Sequence, residues 1–195
     1  MKTKTINLYQ FEELTEEQQA KVIEKYRYFN DDIFESYVND ESSMGEIWNS
    51  GFLKAKPCYS LGYSQGDGAC FDCNDFDYDL LLKDWQHKHR NWIINIIKTH
   101  YKGYIKCNQY GYHYSHSKTR YFDLEANFNC FYLHIEKAVN SAINHIEALR
   151  LELSENLTAR LYEQLEWLRS DEQIAEALIA NEYYFNGETL EIEYC

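Results

Sequence analysis

Apolar residues in this chain repeat at two intervals, and no linker separates the stretches that do so. Over 120–130 the interval is two: Phe122, Leu124, Ala126, Phe128 and Cys130 fall on one side of an extended segment. Over 85–100 it is about 3.6, with Trp85, His89, Trp92, Ile93, Ile96, Ile97 and His100 at helical spacing. Strands and amphipathic helices must therefore share one core. This predicts an α+β fold, a single domain over 1–195 in which an antiparallel sheet is packed by several helices.

The remaining elements follow from the same reasoning. Residues 3–11 alternate as a first strand, with Ile6 and Leu8 on one side. A helix over 14–29 opens on a capping box, Thr15 with Gln18, and carries Val22, Ile23 and Tyr26 on its core face. Helices are also expected over 31–52 and 79–100. Two separate helices are expected further on, one around Val139–Leu149 and one around Leu157–Leu168. Ser170 with Gln173 reads as a capping box for a helix carrying Ile174, Leu178 and Ile179, and Asn186-Gly187 reads as the turn of a closing hairpin.

Charge is segregated along the chain. Residues 86–120 hold 7 Lys and Arg and no acid, whereas 1–85 hold 17 acids against 8 bases and 121–195 hold 15 against 4. The formal net charge is −13. With 195 residues, 45% of them hydrophobic and only one proline, the chain is long and apolar enough to fold around a sizeable core. No apolar run reaches the length of a membrane span, so we expect a cytoplasmic protein with no membrane partner. Its six cysteines (Cys58, Cys70, Cys73, Cys107, Cys130, Cys195) are then expected as free thiols.

The segment "YSQGDGAC" at 63–70 looks at first like a ligand loop. A phosphate-cradling loop needs its glycines ahead of a helix and usually a lysine, but here an aspartate lies between them and strand-like sequence follows. An EF-hand fails too, because Leu80 stands at the turn-glycine position after Asp75, Asp77 and Asp79, and Gln86 stands at the final glutamate position. The expectation is a turn on Gly66-Asp67-Gly68 between two strands, tolerant of change at Asp67 but not at the glycines. Cys70-x-x-Cys73 lacks a second cysteine pair; His87, His89, His113 and His116 do not complete a zinc site at these spacings, so neither metal nor cofactor is expected.

Two surfaces remain as candidates. If 102–118 runs extended, Lys102, Lys106, Tyr110, Tyr112, Tyr114 and Lys118 share a face with Tyr104, Asn108 and His116. Such a mixture of cations and aromatics suits single-stranded nucleic acid. The alternative is that the tyrosines are core and the lysines balance neighbouring acids. Conversely, Asp31, Asp32, Glu35, Asp40, Glu41, Asp72, Asp75 and Asp77 (with Glu46 and Asp79 nearby) could form an acidic face resembling a nucleic-acid backbone, able to attract a basic protein. Ordinary solubility is the commoner explanation of acidic faces.

The stretches "FEELTEEQQAKVIEKYR", "SQGDGACF" and "YEQLEWLRSDEQIAEALIANEYYFNGE" resemble a family of small acidic phage and prophage proteins, some labelled antitoxin of a toxin–antitoxin stability system. The resemblance supplies no catalytic residues. It implies a mobile-element protein in the cytoplasm of a bacterial host cell. Its expected role is a non-enzymatic inhibitor of host defence, of the anti-CRISPR type, whose partner is a host defence protein or CRISPR effector complex. The second reading is a nucleic-acid-binding or antitoxin-like regulator using 86–120. A homodimer is compatible with either.

Overall fold

The computed structural model describes residues 6–107, 114–126 and 133–193. In chain order its elements are β1 (Leu8–Gln10), α1 (Glu16–Lys25), α2 (Asp31–Val38), α3 (Glu41–Asn49), β2 (Phe52–Leu53), β3 (Lys56–Ser60), β4 (Gly68–Asp72) and β5 (Asp75–Phe76). There follow α4 (Tyr78–Leu81), α5 (Arg90–His100), β6 (Tyr101–Cys107), β7 (Arg120–Ala126), α6 (Leu133–Leu168), α7 (Asp171–Ala180), β8 (Tyr184–Asn186) and β9 (Ile192–Glu193). The fold class is α+β. The strands do not gather into one sheet; among the described residues they form four small antiparallel ones, β1-β8-β9, β2-β5, β3-β4 and β6-β7. The chain divides into two compact units, 1–36 with 163–195 and 37–162.

In the first unit the two ends of the chain meet in a shared core. Phe11, Leu14, Val22, Ile174, Leu178 and Phe185 are buried together, with Ile23 and Tyr26 packed against them. The expected capping box opens α1: Thr15 accepts from Gln18 N, and the Gln18 side chain accepts from Thr15 N at 3.1 Å. At α7 only half of the expected box exists. Ser170 accepts from Gln173 N, but the Gln173 amide donates to Glu176 instead. The closing hairpin does not turn tightly on Asn186-Gly187. Asn186 Oδ1 accepts from Glu188 N and Thr189 N, opening a longer loop before β9.

The second unit packs its small sheets through aromatic contacts. Phe52 meets Phe71 at 5.0 Å between ring centroids, and Phe76 meets Phe122 at 5.4 Å, each edge to face. Three helix expectations are corrected. The helix expected over 31–52 breaks at Asp40, which adopts an extended conformation and accepts from Ser42 N and Ser43 N as the N-cap of α3. The helix expected over 79–100 is interrupted between α4 and α5, where Arg90 Nε donates to the Leu82 carbonyl and the Trp85 indole donates to Ser141 Oγ at 3.2 Å. Local periodicity continued through this stretch, but a buried tryptophan anchored elsewhere stops the helix. Conversely, the two helices expected within 133–168 are one, α6, because no proline or glycine interrupts them.

The buried stripe of α6 within the second unit runs through Val139, Ala142, Ile146, Arg150, Leu153, Leu157 and Leu161. Arg150 sits in this apolar register with no exposure. Its Nε and Nη2 fork onto Glu147 at 2.7 Å each, and Nη2 also donates to the Ser117 carbonyl. Glu147 in turn accepts from Phe122 N at 2.8 Å, tying α6 to β7. A buried arginine in such a position depends on these partners.

Candidate functional site

The β3–β4 hairpin carries the most concentrated chemistry among the described residues. Its register sets Cys58 opposite Cys70 and Lys56 opposite Asp72, so these four side chains share one face of the ribbon. Cys58 is half-buried and Cys70 fully buried. Cys58 Sγ lies 3.4 Å from Asp72 Oδ2, Cys70 Sγ lies 3.6 Å from Thr119 Oγ1, and Arg120 Nε donates to Asp72 Oδ1 at 2.6 Å. The hydrogen bond from Cys58 brings the Cys70 thiol down to about 7 against the opposing effect of burial, with help from Thr119 and the Arg120 charge. Cys58 moves the other way, raised by that same bond and by burial. The pair releases one proton readily and holds the second, as two adjacent thiols must.

At the end of this hairpin the "SQGDG" segment is a turn, as expected, but Asp67 is its organiser. Its carboxylate accepts from Ser60 Oγ at 2.8 Å and from Ser64 N at 2.6 Å. Gly66 adopts φ +99°, and an added Cβ would stand 3.5 Å from the Tyr114 ring. These donors, the Ser64 amide first, hold the Asp67 carboxyl below its ordinary 3.8. A depressed carboxylate contributes stability above its unfolded value, and this is lost as pH falls through the lower folded value. Asp67→Asn, which keeps one acceptor oxygen, should therefore loosen the turn, read as faster amide exchange at Ser64 and Asp67. That difference from the parent should disappear once acid has protonated Asp67.

The eight acidic candidates do not form one surface of free carboxylates. Asp31 is held by Arg169 through two hydrogen bonds of 3.0 and 2.7 Å, Asp72 by Arg120 and Asp75 by Lys54 at 3.3 Å. Asp40 and Asp77 cap α3 and α4. Asp32, Glu35 and Glu41 are exposed. Asp31, Asp32 and Glu35 belong to the first unit, the other five to the second.

The shared basic face is altered by strand pairing. Antiparallel β6 and β7 set Lys102 opposite Glu125, Tyr104 opposite Asp123 and Lys106 opposite Tyr121, and Tyr104 Oη donates to Asp123 Oδ2 at 3.0 Å. Glu125 and Asp123 thus lie on the same side as Lys102 and Tyr104. Tyr110 and Tyr112 lie outside the described residues, as do Asn108, Phe128 and Cys130. Tyr114 is exposed, and Lys118 is exposed in a short 3-10 turn whose preceding residue, His116, accepts from Lys118 N through Nδ1. Further along the basic segment, Lys98 pairs with Asp79 and Arg90 donates to the Asp79 and Leu82 carbonyls.

Charge segregation in the fold differs from that along the chain. The first unit holds 17 acids against 6 bases, a net −11, whereas the second holds 15 against 13, a net −2. The basic segment is absorbed into a nearly neutral unit, and the two chain ends combine into a strongly acidic one. Sequence reading missed this because the acidic unit is discontinuous in the chain. Among the described residues no three His, Cys, Asp or Glu side chains converge to hold a metal ion, and Cys73 lies past the end of β4, donating to the Leu53 and Asp75 carbonyls. No helix among the described residues is long and apolar enough to cross a membrane. No family model, curated protein or solved structure matches this chain.

Proposed function

We propose that this protein is a non-enzymatic inhibitor of the phage-encoded, anti-CRISPR type, which binds the basic nucleic-acid groove of a host defence effector through its acidic unit. The observation that carries this reading is the net −11 gathered on residues 1–36 and 163–195. A field of that sign speeds encounter with a cationic groove and competes with the polyanion the groove normally holds. Within this unit Asp32 and Glu35 are exposed on α2, Glu16 and Glu17 stand in the first turn of α1, and Asp171 and Glu172 in the first turn of α7. Exposed Ile33 and Tyr28 add apolar area beside them.

The test is pulldown from effector-expressing cells, followed by titration of the captured effector across rising salt. Affinity should fall as salt rises, and Asp32→Lys with Glu35→Lys should weaken it on the order of tenfold, about 1.4 kcal/mol. Asp31 is left intact because it holds Arg169. Titration with short RNA and DNA provides the contrary outcome. Binding that is lost on replacing Lys102, Lys118 and Tyr114 would transfer the function to the basic segment and make the protein a nucleic-acid-binding regulator.

A further inference from the structure

We propose that Cys58 and Cys70 form a reversible thiol–disulfide couple that reacts with small disulfides of the glutathione class. The strand register is one that a bridge can span. Directly opposed residues of an antiparallel pair have Cα atoms about 4.5 or 5.5 Å apart, depending on which kind of pair they form. Both values fall inside the roughly 4.4–6.8 Å range that disulfides accept, so closing the bond requires no change of register. Cys58 and Cys70 are such a pair, with their side chains on one face.

The surroundings divide the labour between the two sulfurs. Cys58 is half-buried and gives solvent an entry, whereas Cys70 has no exposure and is backed by Thr119 and the Arg120–Asp72 pair. Cys58, the sulfur with solvent access, gives up its proton to solvent as it reacts, and Cys70 gives up its own in the second step. Cys58 as thiolate attacks one sulfur of oxidised glutathione, forming a mixed disulfide and releasing a glutathione thiolate. Cys70 as thiolate then attacks the Cys58 sulfur, closing the bridge and releasing the second glutathione. Two protein thiols are oxidised, one glutathione disulfide is reduced to two thiols, and the two thiol protons pass to the released glutathiones. Excess reduced glutathione runs the same steps backwards.

Cys73 supplies an internal comparison. It is buried, both its contacts are backbone carbonyls, and burial pushes its thiol up to about 11. Among the described residues no second thiol stands opposite it in a strand pair. Closing Cys58–Cys70 fastens the middle of the hairpin whose turn carries Asp67, so oxidation should restrain the segment between them.

The experiment equilibrates the full-length protein in glutathione buffers of increasing oxidised fraction, quenches with acid, alkylates free thiols and maps the peptides. The expected result is a Cys58–Cys70 linked peptide, appearing at a lower oxidised fraction than any modification of Cys73 and disappearing in excess reduced glutathione. The linked form should also unfold at a higher urea concentration than the reduced form. Cys70→Ser should stop the reaction at a Cys58–glutathione adduct, and Cys58→Ser should leave Cys70 unmodified in the folded protein. Wild-type protein in which Cys58 accumulates as the adduct, or in which both cysteines stay reduced while Cys73 reacts, would overturn the proposal. The wild-type map decides this even if a serine variant fails to fold.

Discussion

Glu147→Ala should destabilise the protein by about 3–5 kcal/mol, because it leaves a buried guanidinium without its counter-ion. Arg150 has no exposure, and its Nη1 already has no partner among the described residues, so both bonds to Glu147 are lost with nothing to replace them. The same substitution strips Phe122 N of its acceptor and loosens β7 from α6. The reverse truncation, Arg150→Met, should cost less. The Glu147 carboxylate left behind is partly exposed and can draw in water, and methionine fills much of the vacated apolar stripe. Combining Glu147→Gln with Arg150→Met should recover most of the loss. Urea midpoints for the three variants check the order; equal losses for Glu147→Ala and Arg150→Met would mean that the ion pair is not what holds this site.

Gly51→Ala should cost about 2–4 kcal/mol, combining backbone strain with a collision that has no relief. Gly51 has φ +106°, and an added Cβ would stand 2.7 Å from the Asp77 carbonyl oxygen. That oxygen cannot withdraw, because it accepts the first helical bond of α4 from Leu81 N, while Asp77 N donates back to the Gly51 carbonyl. Gly45→Ala is the matched control. It lies inside α3, where the new methyl would meet only the flexible Glu41 side chain at 3.1 Å. Gaining a helix former there should leave stability unchanged or raise it by up to about 1 kcal/mol. Thermal melts of the two variants should therefore move apart, and similar melts would show that the junction between α3 and α4 is more pliable than its geometry indicates.

Much of the local architecture was legible from residue order. Thr15 with Gln18, the turn at Gly66-Asp67-Gly68 and the alternation through Phe122 and Leu124 each depend on neighbours within a few residues, and each is found where it was expected. The break at Asp40 was legible in principle, since aspartate is a preferred N-cap and Glu41 follows it in the first turn, but the apolar spacing across 33–48 masked it. The break before Arg90 had no local signal. It depends on a Trp85–Ser141 bond between residues far apart in the chain.

Period, caps and turn residues by themselves determined the α+β class and most of the elements, because those preferences act through backbone torsions and nearest neighbours. Tertiary structure decided what the charges and thiols are for. Pairing β6 with β7 set Glu125 opposite Lys102 and Asp123 opposite Tyr104 in an apparently basic stripe, and pairing β3 with β4 set Cys58 against Cys70 rather than Cys70 with Cys73. Folding the two ends of the chain into one unit concentrated a net −11 that the linear order had divided. Coulomb interaction and sulfur chemistry depend on distance in space, and no sequence interval encodes that distance.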